Sequence, residues 1–136
     1  MSNEQKKNIT VEQLIRAYMI GMFPMSESRK NKRFFFVDPE FRAVIPIFNF
    51  HISKTLLRLA KKRPFNITIN KAFPDVIKSC ATINRTETWI NTEIESLFIS
   101  LNKSRYAHSI ECWQENHLVG GIYGLALGGV FFAESM

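Results

Sequence analysis

Residues 107–136 read AHSIECWQENHLVGGIYGLALGGVFFAESM. His108, Ile110 and Cys112 alternate with Ser109, Glu111 and Trp113, the period of a strand. Glu115-Asn116 interrupts that pattern, and two further apolar runs follow, Leu118 to Leu127 and Val130 to Ala133. Three successive strands joined by tight turns are expected here. Gly120, Gly121 and Gly124 sit inside the middle run, where glycine weakens a strand unless another backbone or a ligand comes close. The last run carries the adjacent pair Phe131-Phe132. A bare apolar edge of that kind invites pairing with another chain. Either another chain covers it or this sequence is the front portion of a longer fold, and the second is the expectation.

Working back from this stretch, helices precede it. Asn91 can cap a helix whose Ile94, Leu97, Phe98 and Leu101 recur at i, i+3, i+4 and i+7. Asn70 and Pro74 mark the entry to a shorter helix carrying Phe73, Val76 and Ile77. Phe65 to Ile69 alternates strictly, as a strand does. Ser53 can cap a helix that Pro64 stops. Nearer the start, Thr10 and Gln13 form a capping box ahead of Leu14, Ile15, Ala17 and Tyr18, with Gly21 closing that helix. The sequence GMFPM is expected to turn at Pro24, and residues 26–33 form a polar, basic surface loop. Two short apolar runs follow, Phe34 to Val37 and Ala43 to Pro46. Helices and consecutive strands together predict an α+β fold.

The chain has 136 residues, 46% hydrophobic and 22% charged, which suits an ordinary globular domain and excludes a disordered tail or a collagen-like fibre. It lacks the ~18 consecutive apolar residues of a membrane span. The first residues, MSNEQKKNITVEQ, have no apolar h-region, so a signal peptide is not expected. A soluble, intracellular, cytoplasmic protein is the expectation. The net charge is +6, yet residues 29–74 hold eleven basic side chains against Asp38 and Glu40, so this third carries +9. A basic block beside a mildly acidic remainder points to a polyanionic partner.

The arrangement sharpens that reading. After Ser53, the residues Lys54, Arg58, Lys61 and Lys62 fall within one helical arc, while Leu56, Leu59 and Ala60 fall on the other side and are expected to be buried. A basic stripe over an apolar one can dock on a phosphate backbone. It has no means of reading base sequence, because phosphate contacts position and do not specify. The late lysines also suit the negative end of the helix dipole.

Little else assembles into chemistry. Cys80 and Cys112 are far apart in sequence, and His51, His108 and His117 have neither metal-ligand spacing nor an acid cluster, so no metal site is expected. His51 and His108 read as capping or packing residues. The sequence GGIYG lies in a strand pattern and not at a helix entry, so it is a weak phosphate-loop signal. Glu134 stands out. It follows two phenylalanines at a strand end, where partial desolvation would suit it to a cationic amine. Trp89, after a polar loop at a helix entry, can wall a pocket or fill a core.

Taken together, AYMIGMFPM, FFVDPEFRAVIP, HISKTL, AFPDVIKSCA, TWIN, AHSIECW and LVGGIYGLALGGVFFAESM resemble, in collinear order from about Leu14 to Met136, the bacterial leucyl/phenylalanyl-tRNA–protein transferases. The resemblance implies a small N-terminal α/β domain, 1–50, and the N-terminal portion of an acetyltransferase-like (GNAT-type) mixed domain, 51–136, incomplete at its C-terminal end. It implies transfer of Leu, Phe or Met from aminoacyl-tRNA to the N-terminal Arg or Lys of acceptor proteins, marking them for degradation, with no metal or diffusible cofactor. Met25, Trp89, Phe98, Ile122 and Phe131 would wall the aminoacyl pocket. Glu134 would be catalytic, sitting where an amine is held, and Lys54, Arg58, Lys61, Lys62 and Arg63 would grip tRNA. An apolar pocket that discriminates by size at only ~1–3 kcal/mol per methylene fits such tolerance of donors. Departures from the family pattern are Met25 for a usual Trp, Ala133 for a Gly, and Phe35-Phe36 for a common Trp pair. Family members also continue past the ESM motif, and an Asp and a Gln two residues apart, implicated in proton handling and in holding the substrate, lie in that later part. A non-catalytic tRNA-binding fragment is the first alternative, and an acetyl-donor acyltransferase of the same fold type is the second.

Overall fold

The capping box forms as the sequence implies. Thr10 Oγ1 accepts from the Gln13 N–H, and Gln13 Oε1 accepts from the Thr10 N–H at 2.9 Å, opening helix α1, Val11–Met19. Leu14 and Tyr18, four residues apart on one face, are buried. Gly21 then leaves the helix at φ +90°, open to glycine without strain. The computed structural model describes residues 9–136. Most of the stretch considered for a leader, residues 1–8, lies outside them.

Strand β1, Phe23–Met25, pairs antiparallel with β2, Phe35–Val37, with Pro24 opposite Phe36. Pro24 therefore lies in a strand, and the expected turn there is corrected. In a two-stranded ribbon each strand is an edge, so the missing proline N–H costs no ladder bond when it faces outward.

The main sheet has strand order β3-β4-β5-β6, antiparallel throughout: β3 Asn66–Ile69, β4 Ala107–Gln114, β5 His117–Leu127 and β6 Val130–Ser135. The turn at Glu115-Asn116 has both residues at positive φ, and Gly128 is at φ +55° in the next, so both hairpins close tightly. Between β3 and β4 the chain makes α3, Phe73–Thr82, and α4, Thr92–Lys103. Asn91 caps α4, its side chain accepting from the Ile94 N–H at 2.8 Å. At α3 the N-cap is Ala72, with no side-chain cap bond, and Pro74 lies in the first turn. Asn70 adopts φ +56°, and its side-chain oxygen accepts from the Ser109 N–H and from Asn102 Nδ2. It ties the β3–α3 turn to the start of β4.

These helices and α1 lie on one face of the sheet. Inward residues Ala107, Ser109 and Glu111 of β4 and Tyr123 and Leu125 of β5 are all buried beneath them. The core is aromatic along its length. Tyr18 meets Phe98 edge-on, Phe98 meets Tyr123 at 5.3 Å between ring centres, and Tyr123 meets Phe73 at 5.9 Å. By strand alternation Ile67, Ile69, Ile110, Cys112, Ile122 and Phe131 point to the opposite face.

Two strand glycines have a close-approach role. A Cβ on Gly121 would stand 3.0 Å from Val76 Cγ2, and one on Gly124 would stand 2.2 Å from the Phe132 carbonyl oxygen. Gly124→Ala is therefore expected to destabilise the chain by about 2 kcal/mol, read as a lowered urea midpoint with an unchanged slope.

Helix α2, Lys54–Lys62, departs from expectation. Its cap forms, with Ser53 Oγ accepting from the Leu56 N–H, but no residue in it is buried. Leu56, Leu57 and Leu59 are 54%, 44% and 44% exposed, and Ala60 is exposed as well. The apolar stripe is present, but nothing among the described residues covers it. The run Ala43 to Pro46 likewise forms no regular element and is exposed.

Candidate functional site

Glu134 lies beside an irregularity in β6. Tyr123 pairs with Ser135 while Gly124 pairs with Ala133, so β6 bulges by one residue at Glu134. Alternation from Phe132 puts Glu134 on the helix side of the sheet, and the bulge brings Ser135, opposite Tyr123, beside it. Tyr18 Oη donates to Glu134 Oε1 at 2.8 Å, joining residues 116 apart in sequence. Phe132 packs edge-on against Tyr18 at 5.3 Å. The Arg42 guanidinium lies over the rings of Phe23, at 4.7 Å, and of Phe132, at 5.9 Å, while its Nη2 donates to the Gly21 carbonyl. Arg42 thus shares the Phe132 ring with Tyr18 and acts on Glu134 by charge alone.

Burial pushes the Glu134 carboxyl up to about 7, against the opposing effects of the Tyr18 hydroxyl and the Arg42 charge. Burial, then the neighbouring Glu134 charge, pushes both the Tyr18 and the Tyr123 phenols well above their ordinary range. Tyr123 Oη is fully buried and has no hydrogen-bond partner among the described residues. A carboxyl group that titrates near neutrality, beside a free buried hydroxyl, can take a proton from an ammonium group or hold one.

The other expected pocket residues divide between two places. Phe98 is buried between Tyr18 and Tyr123, close to the Glu134 cluster. Trp89 packs half-buried against the same core, and its carbonyl accepts from the Ser26 N–H at 3.0 Å, which lays the chain after Met25 alongside it. Met25 is half-buried in β1. Ile122 and Phe131 lie on the far face of the sheet, by alternation from Tyr123 and Phe132. The described residues therefore do not bring all five side chains around one hollow.

The basic loop 26–33 is held against the start of α4. Asn91 Nδ2 donates to the carbonyls of Asn31 and Arg33, Arg29 donates to the Ile90 carbonyl, and Arg29 pairs with Glu95 at 2.5 Å. Arg29 is thereby committed, while Lys30, Lys32 and Arg33 stay exposed. On α2, Lys54, Arg58, Lys61 and Lys62 are exposed, as is Arg63, the left-handed residue that ends the helix. His108 Nδ1 meets Asn70 Nδ2 at 2.9 Å, a packing role, and His51 is exposed just ahead of the Ser53 cap.

Sequence reasoning missed Tyr18, Arg42 and Tyr123 at the Glu134 site, and it missed Glu111. The Glu111 carboxylate is buried and accepts from Ser109 Oγ, Thr68 Oγ1 and the N–H groups of Ala72 and Lys71. Burial alone would push this carboxyl up, but those donors outweigh it and leave it below the usual range. Its role is to pin the β3–α3 turn to β4. Among the described residues no three His, Cys, Asp or Glu side chains come together as a metal-holding group, and no helix is long and apolar enough to cross a membrane.

Residues 44–136 match the family described as leucyl/phenylalanyl-tRNA protein transferase. Curated relatives of that name include one from Rhodospirillum rubrum, 47% identical over 131 residues, covering 95% of this chain and 62% of its own length. Another, from Phenylobacterium zucineum, is 49% identical over 125 residues, 90% of this chain and 57% of its own length. A third, from Paramagnetospirillum magneticum, is 47% identical over 130 residues, with 94% and 62% covered. The chain spans about three-fifths of the length of these relatives. It belongs to the leucyl/phenylalanyl-tRNA protein transferase family.

Proposed function

We propose that this chain grips the acceptor arm of an aminoacyl-tRNA, in the cytoplasm, on behalf of an enzyme that moves Leu, Phe or Met from that tRNA to the N-terminal Arg or Lys of acceptor proteins and so marks them for degradation. The observation that carries this reading is helix α2: Lys54, Arg58, Lys61 and Lys62 on one exposed arc, capped by Ser53 and ended at Arg63. Phosphate contacts of this kind tolerate different tRNA sequences, because shape and backbone suffice. The relatives' printed name supports the donor and the reaction class.

In this reading the acceptor's neutral α-amine attacks the aminoacyl ester carbonyl, the C–N bond of the new amide forms as the ester C–O bond breaks, and the proton the amine gives up ends on the departing ribose oxygen as a hydroxyl. Glu134 holds the amine by charge and hydrogen bond, and Tyr18 fixes the carboxylate through Oε1. Met25 and Trp89, half-buried on this side of the sheet, supply apolar walls backed by the buried Phe98, while Ile122 and Phe131 face the other side and do not line the same hollow. An ester is already activated, so positioning and exclusion of water supply much of the rate. No metal or diffusible cofactor enters this scheme.

A second reading, a tRNA-binding piece that does not itself transfer, is favoured by one specific observation: Ile122 and Phe131 lie on the opposite face from Phe98. Filter binding of leucyl-tRNA tests the shared part of both readings. Binding should weaken about a hundredfold between ~50 and ~200 mM salt if about four phosphates are neutralised, and binding indifferent to salt contradicts it. Labelled leucine appearing on an Arg-ended peptide selects the first reading, and tight binding without transfer selects the second.

A further inference from the structure

Loop 26–33 carries cations that the α2 stripe does not account for. Its backbone is pinned from within. Ser26 Oγ donates to the Arg33 carbonyl at 2.8 Å, tying the two ends together, and Asn91 Nδ2 draws the carbonyls of Asn31 and Arg33 onto the start of α4. Arg29 turns its charge inward, to Glu95 and the Ile90 carbonyl, and the loop's own Glu27 accepts from Asn31 Nδ2 at 3.4 Å. Lys30, Lys32 and Arg33 are exposed, and among the described residues no acid pairs with any of them. A loop already ordered this way gives up little backbone freedom when a ligand binds.

An aromatic ring stands beside these cations. Phe35, two residues past Arg33, pairs directly with Met25 across the β1–β2 ribbon and is 48% exposed. Directly opposed residues of an antiparallel pair share a face, so Phe35 and Met25 are neighbours there. Ser26, the residue after Met25, bonds to the Trp89 carbonyl. The loop thus borders two of the residues assigned to the amino-acid pocket. Helix α2, KTLLRLAKK, offers cations without an aromatic, which suits the phosphates of a paired stem. Cations beside an exposed ring suit an unpaired strand, whose phosphates pass the cations while its bases stack.

Building on the tRNA-binding reading above, we propose that loop 26–33 and Phe35 hold the unpaired 3′-terminal nucleotides of the donor tRNA, the strand that delivers the amino acid to Met25 and Trp89. Lys30, Lys32 and Arg33 take its phosphates, and Phe35 stacks under one base. This contact is separate from α2 in sequence and in kind. The loop is pinned through backbone carbonyls, Ser26 and Asn91, so replacing the three exposed cations leaves every one of those bonds in place.

The experiment compares filter binding of an intact tRNA with that of the same tRNA trimmed of its unpaired 3′ nucleotides. The full chain should bind the trimmed tRNA about tenfold more weakly. Lys30→Gln with Lys32→Gln and Arg33→Gln should bind intact tRNA about tenfold more weakly, with a salt slope lower by about two, and trimming should then cost little more. Phe35→Ala should lose about tenfold on intact tRNA with its salt slope unchanged. A variant with Lys54, Arg58, Lys61 and Lys62 replaced by glutamine should bind weakly overall yet still lose affinity on trimming. Circular dichroism should be the same for all. A loop variant that binds intact tRNA normally, or that loses equally on trimmed tRNA, overturns the proposal and leaves the α2 reading standing. Absence of binding of either tRNA to the full chain overturns that reading and the proposal with it.

Discussion

Replacing Lys54, Arg58, Lys61 and Lys62 together with glutamine is expected to lower the affinity of this chain for leucyl-tRNA by about a hundredfold near ~100 mM salt and to flatten its salt dependence by roughly three to four in logarithmic slope. The magnitude follows from counterion release, since each neutralised phosphate adds about one to the slope. The positions make the test clean. None of the four is buried, and the helix is capped by Ser53, so the variant retains its fold. The loss of two basic residues from the last turn costs only tenths of a kcal/mol of dipole stabilisation. Equal loss of affinity for tRNAs of different sequence is expected as well, because the stripe reads no bases. Unchanged binding would reduce the stripe to solvated surface.

The second large effect concerns Glu134. Its carboxyl is pushed up to about 7 by burial, from 4.5. The folded chain therefore binds a proton more readily than the unfolded one between those values. Stability is greatest below the unfolded value, falls as pH rises from about 4.5 to about 7, and is level above. The charged form thus costs the folded chain about 3 kcal/mol at pH 8. Glu134→Gln keeps an oxygen for Tyr18 Oη and removes the buried charge. It is expected to raise the melting temperature at pH 8 by about 10 °C, to leave it nearly unchanged at pH 4.5, and to abolish the decline between. Parallel melting profiles for the two proteins would contradict the burial of this group. Under the proposed mechanism the same variant loses the amine contact, so stability and function move in opposite directions, as they do at sites built for chemistry.

Local signals in the sequence carried most of the fold. The Thr10–Gln13 box, the Asn91 cap with its i, i+3, i+4 spacing, and the alternation around Ser109 and Glu111 each act within a few residues and form as read. Helix α2 shows where such reading stops. Its two stripes are legible in the spacing, but whether Leu56 and Leu59 are covered depends on what packs there, and nothing among the described residues does. The site was legible only in part. Glu134 drew attention through its aromatic neighbours, whereas Tyr18 lies 116 residues away and no local pattern announces the bond between them. Arg42 was counted among the basic residues, with no local feature to single it out from the rest of the block. Pro24 read as a turn because proline breaks strands, and the two-stranded ribbon is where that rule relaxes.

The central claim is that one tRNA end reaches from the α2 stripe to the Glu134 site, and crosslinking with leucyl-tRNA bearing a photoreactive group on the amino acid tests it most directly. The account predicts crosslinked peptides containing Tyr18 or the Phe132–Glu134 region, together with protection of the α2 lysines from acetylation by the same tRNA. Crosslinks confined to surfaces away from those residues, with the α2 lysines still fully reactive, would contradict it.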